Sequence, residues 1–132
     1  MSDPKILIGC PTSFHKEYAL PEYAKALKAL TFSNHDILLV DNSKDDNYKK
    51  KIEAHGLPVI KGHWFESARD RIIASRNILR QKTLEKGYDY FFSLEQDVLP
   101  PPNILQDLLK HNKQLITAIY FADNVIPGQT LP

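Results

Sequence analysis

The sequence predicts an α/β domain, a three-layer αβα sandwich built on a mostly parallel, doubly wound sheet of Rossmann-like type. Two observations carry this reading. Five short apolar runs punctuate the chain, and four of them are nearly continuous in hydrophobicity rather than alternating, as strands covered on both faces are. Helical patterns fill the gaps between the runs. Strand and helix therefore alternate about four times, the order that gives a parallel sheet with right-handed crossovers.

The strands are expected at "KILIGC" (5–10), "DILLVD" (36–41), "LPVIKG" (57–62), "DYFFSL" (89–94) and "QLITAIYF" (114–121). The first helical pattern, 20–31, sets Leu20, Tyr23, Ala24, Leu27 and Leu30 on one face. The second, 45–56, is acidic at its start, basic in the middle and stopped by Gly56. The third and longest, 66–87, is expected to pack through Ile72, Ile73, Leu79 and Leu84, with Gly87 just past its end. The fourth, 101–112, opens on prolines, which suit a first helical turn. Residues 1–121 then form one domain. The tail 122–132 has Gly, two Pro and no periodicity, and is expected to be irregular.

Bulk properties exclude several classes. The 132 residues suit one domain with a real core, and apolar (42%) and charged (25%) fractions are those of an ordinary globular chain. A net charge of +1 gives no electrostatic reason to expect a nucleic-acid partner. The single cysteine, Cys10, rules out an internal disulfide and a multi-cysteine zinc site, and fits a cytoplasmic location. No secretory leader is evident, and no run approaches the ~20 apolar residues of a spanning helix.

Open α/β sheets bind ligands beyond the carboxyl ends of their strands, so polar residues there are the first candidates. Strand one ends in Pro11 and Thr12, strand two in Asp41 and Asn42, strand four in Glu95 and Asp97. No G-x-G-x-x-G, Walker A loop or G-x-S-x-G elbow is present. A bound nucleotide would need another source of positive charge, such as a divalent cation on carboxylates. Glu95 and Asp97, at i and i+2, share one side if the chain stays extended. By spacing alone, acids serving the N-terminus of the next helix are the simpler explanation. Asp41-Asn42-Ser43 is also ordinary turn chemistry, and Arg76-Asn77, taken alone, an exposed helical face.

Taken in order, these segments resemble the nucleotide-sugar-binding half of a GT-A glycosyltransferase, most similar to the family 2 type. "KILIGCPTSF" resembles that family's first strand and Pro-Thr turn, "HDILLVDNSKDD" its second strand and terminal acid. "ASRNILRQKTLEKGYDYFFSLEQDVLPPPNILQDLL" resembles its Arg-Asn helix, hydrophobic strand, DXD-type motif and proline-led helix, and "ITAIYFA" the strand that follows. The resemblance covers about residues 4–121. It implies that Pro11, Thr12 and Asp41 line a nucleoside pocket and that Arg76 approaches the base or diphosphate. Glu95 and Asp97 take the DXD positions, with Asp97 the better ligand for Mn²⁺ or Mg²⁺. The implied activity is metal-dependent transfer of a sugar, hexosyltransferase-type, from a nucleotide-diphosphate sugar to an unknown acceptor. No catalytic base is assigned, because the family's acceptor-binding half would lie beyond residue 121. Such a chain is expected to be a fragment, a subunit needing a partner or a minimal binding domain, and a homodimer or a partner subunit is expected to complete its sheet. The motif departs from the family in having Glu for the first acid and uncharged Gln96 in the middle. The alternative is a non-catalytic module that binds a nucleotide or a partner. A nucleotidyltransferase is disfavoured because "CPTSFHKEY" lacks a Gly/Arg-rich loop, and a phosphoacceptor sheet because strand one ends without acids.

Overall fold

A computed structural model describes residues 3–119. Four strands form one all-parallel sheet in the order β3-β2-β1-β4: β1 (Ile6–Thr12), β2 (His35–Asp41), β3 (Val59–Lys61) and β4 (Tyr90–Ser93). A 3₁₀ segment (Phe14–Ala19) leads into α1 (Leu20–Lys28), and α2 (Asn47–Ala54), α3 (Ala68–Glu85) and α4 (Ile104–Leu109) complete the fold. Among the described residues no helix is long and apolar enough to cross a membrane.

The two faces of the sheet are covered differently. Ile6, Ile8 and Cys10 of β1, with Leu39 of β2, join Leu20, Tyr23 and Leu27 of α1, Ile52 of α2 and Leu105 of α4 in one buried cluster. On the other face, among the described residues, α3 lies across β1, β2 and β4. It comes close because the sheet offers no side chain there. A Cβ on Gly9 would stand 3.2 Å from Leu79 Cδ2, and one on Gly62 would stand 3.0 Å from Ser75 Oγ. Ser75 and Leu79, one turn apart, are the buried residues of α3. This corrects the face expected from apolar periodicity. Ile72, Ile73 and Leu84 are 42%, 48% and 61% exposed, because small Ser75 over the glycines, not the isoleucines, sets the contact.

Several boundaries follow from local chemistry. Ser67 caps α3 by accepting from Asp70 N, and the helix ends before Gly87 at φ +68°. Gly56, at φ +77°, closes α2 likewise. The prolines 100–102 precede α4 rather than forming its first turn, which starts after the N-cap position Asn103. The fifth strand is not formed: residues 114–119 carry no strand, and residues 120 and 121 lie outside the described residues, as does the tail 122–132. Leu115 and Ile119 are instead almost fully exposed.

The strand order reverses at β1, and that positions the site. β1 pairs with β2 through Thr12, but with β4 only as far as Gly9. Leu94 N donates to Gly9 O towards β4, and Asn42 N donates to Thr12 O towards β2. By alternation the Pro11 nitrogen turns to the β4 side, beyond the last paired residue. A proline is tolerated in this central strand because its missing N–H falls where the ladder has already ended. The gap that opens between the tips of β1 and β4 is the crevice of a topological switch point.

Candidate functional site

A cleft of about 180 Å³ occupies this crevice, lined by the β1 tip and its loop, Asn42, the first turns of α3, and Glu95. Five of the residues singled out from sequence meet there: Pro11, Thr12, Asn42, Arg76 and Glu95. Arg76 NH2 donates to Glu95 Oε1 at 2.7 Å, and its NH1 donates to Ser93 Oγ at 3.2 Å. This fastens α3 to the tip of β4.

Asp97 takes a different course. The chain does not stay extended after Ser93. It turns, with Val98 N donating to Glu95 O at 3.0 Å. The two acids are thereby sent to different cations, Glu95 to Arg76 and Asp97 to Lys16, whose Nζ donates to Asp97 Oδ2 at 2.7 Å. That hydrogen bond raises the Lys16 ammonium pKa, so Lys16 is charged at neutral pH. Among the described residues no three His, Cys, Asp or Glu side chains cluster to hold a metal.

Asp41 lies beneath the cleft rather than in its lining. It is fully buried, accepts from Ser43 N at 2.9 Å, and pairs with Lys61 Nζ at 3.2 Å. Lys61 also donates to the carbonyls of Ser43 and Asp45, so the loop after β2 is wound around one ammonium. Its neighbour Asn42 is the residue that reaches the cleft.

Gln96, the uncharged centre of the acidic motif, has a role that its type alone does not suggest. It is 1% exposed. Its Oε1 accepts from Thr12 Oγ1, and its Nε2 donates to Tyr48 OH and, at 3.2 Å, to Lys16 O. One amide thus ties the tips of β1 and β4, α2 and the 3₁₀ segment together. A neutral residue is required there, since a buried charge without a counter-ion is costly. The other lining residues, Ser13, His15, Lys16, Ala68, Arg71 and Ile72, are not marked out for the site by any motif in the sequence.

No protein-family model matches the chain, and no curated protein does. Its fold is similar to that of S. aureus TarS, with a TM-score of 0.50 at 17% identity over 81% of this chain. The likeness is one of fold, an α/β domain on an all-parallel sheet. A structure of S. aureus TarS residues 1–349 in complex with UDP aligns over 81% of the chain at 16% identity, with a TM-score of 0.49. The chain spans 20% of the first of these structures and 32% of the second.

Proposed function

We propose that this chain is the donor-binding part of a family 2-like glycosyltransferase, transferring a sugar from a nucleotide-diphosphate sugar to an acceptor. The observation that carries the reading is the cleft itself. It sits at the switch point of a fold similar to that of TarS, and Lys16, Arg71 and Arg76 line it together with Glu95. Pro11, Thr12 and Asn42 border the nucleoside, with Asp41 holding the Asn42 turn from below. Arg76 meets the diphosphate.

Mg²⁺ and Mn²⁺ are commonly held by one or two carboxylates plus substrate phosphates rather than by an all-protein cage. Asp97 and Glu95 fit that mode and would be the ligands, although each now pairs with a side-chain cation. The metal would supply electrostatic stabilisation of the departing diphosphate. On this reading Lys16 and Arg76 exchange their carboxylate partners for phosphate oxygens. A second copy of the chain completes the sheet along β4, whose outer edge is unpaired among the described residues. Light scattering at high concentration is expected to give a dimer.

Calorimetric titration with UDP and GDP in the presence of Mn²⁺ tests the assignment. One of the two is expected to bind, and Asp97→Ala to weaken that binding at least tenfold. The absence of heat with every nucleoside diphosphate would overturn the reading. Binding without any turnover of a nucleotide sugar would favour the non-catalytic alternative.

A further inference from the structure

Three basic side chains of the cleft, Lys16, Arg71 and Arg76, differ in what they have left to offer a ligand. Lys16 and Arg76 are each engaged by a carboxylate at 2.7 Å. Among the described residues Arg71 makes no ion pair. It is held in another way. Its guanidinium stacks over the Trp64 ring at 4.3 Å, and NH1 donates to the carbonyls of Phe65 (2.6 Å) and Glu66 (3.0 Å). Those two bonds use NH1 and leave the NH2 pair and Nε–H free.

This arrangement also accounts for an exposed tryptophan. Trp64 and Phe65, 40% and 41% exposed, lie in the loop between β3 and α3, on the carboxyl rim of the sheet with the cleft. A loop of exposed aromatics gains little by burial. Here it clamps one arginine, and the arginine in turn fastens the loop to the first turn of α3.

We propose that Arg71, pre-set by Trp64, is the specificity-determining anchor for a phosphate group of the ligand, ahead of Arg76. The proposal rests on the nucleotide-diphosphate reading of the cleft and names the residue that receives its charge. Three physical points support it. A planar guanidinium with a free fork of donors matches a phosphate in bidentate fashion, which an ammonium cannot do. Its rotamer is already fixed by stacking and by two carbonyls, so little side-chain entropy remains to be lost on binding. It also has no carboxylate to release first, unlike Lys16 and Arg76.

The test uses inorganic pyrophosphate and UDP as separate probes, by calorimetry at fixed ionic strength with and without Mn²⁺. Arg71→Ala is expected to weaken pyrophosphate about 10- to 100-fold, the span of a charge-assisted hydrogen bond. Arg76→Ala is expected to weaken it less. Arg71→Lys, which keeps the charge but not the fork, should recover only part of the loss, and Trp64→Ala should weaken binding with the charge intact. Unchanged urea midpoints for the Arg71 variants keep the comparison free of unfolding. Equal pyrophosphate affinity in wild type and Arg71→Ala would overturn the anchor even if UDP binds, leaving the nucleotide reading intact. Pyrophosphate binding that depends on Arg71 without any binding of nucleoside diphosphates would support the anchor and overturn the nucleotide reading. Full recovery with Lys would overturn the fork, reducing Arg71 to a point charge.

Discussion

At the scale of single residues, the decisive side chain is one that carries no charge. Gln96 satisfies Thr12, Tyr48 and the Lys16 carbonyl from a fully buried position. Gln96→Ala would leave these groups without a partner, at about 1–3 kcal/mol for a buried unsatisfied group. Tyr48→Phe removes one bond of the set and should cost about 1 kcal/mol. Urea denaturation with the m-value unchanged reads both, and a Gln96→Ala loss no greater than that of Tyr48→Phe would contradict the proposed cross-link. Nothing in the letters E-Q-D announces this. A strand's alternation places Glu95 and Asp97 together, and what intervenes is a turn at Glu95–Val98 that sequence spacing does not encode. Pro11 and Thr12 were legible because a proline closing an apolar run marks a strand tip. Arg71 was not, because its importance arises from an aromatic seven residues earlier.

At the scale of elements, apolar runs located β1 to β4, those of β1, β2 and β4 by their continuity, and glycines located the ends of α2 and α3. The same continuity suggested a strand at 114–121, but an apolar run is necessary for a strand and does not supply its neighbour. The face of α3 was misread for a related reason. Periodicity counts isoleucines, whereas the packing is decided by where the sheet has glycine. Gly9 is therefore a sharp test. An added methyl there would run into the Leu38 carbonyl and Leu79 Cδ2, so Gly9→Ala must part β1 from β2 or lift α3. A loss of about 1–3 kcal/mol by overpacking is expected in chemical denaturation. Gly87→Ala is a contrasting case. No atom lies within 4 Å of the new methyl, so the cost, about 1 kcal/mol, comes from φ +68° alone. Equal effects of the two would indicate that space at Gly9 is not limiting.

For the whole molecule, the core carries a pH signature on the alkaline side. Burial pushes the Cys10 thiol up to about 12 from 9.0, with Glu95 adding to the shift. Burial likewise raises Tyr23, well above 10.0, and Tyr48. In each case the folded chain holds the proton more tightly than the unfolded chain. The stability this contributes is complete below about pH 9 and is lost as pH rises towards 12. Denaturant midpoints should accordingly fall across that window and not between pH 6 and 8, and Cys10 should resist alkylation at neutral pH until the chain unfolds. A distinct consequence follows from β1, whose seven residues are all buried, with a strand on either side and helices above and below. The floor of the cleft, at Pro11 and Thr12, is an extension of the stiffest part of the molecule, whereas the opposite side is built from the loop around Trp64 and the start of α3. Amide exchange is expected to be slowest in β1, and on ligand addition to slow at 63–71 while β1 stays unchanged. Recognition on such a frame sets a wholly buried strand against the stacked Trp64–Arg71 clamp, so both walls meet a ligand already shaped.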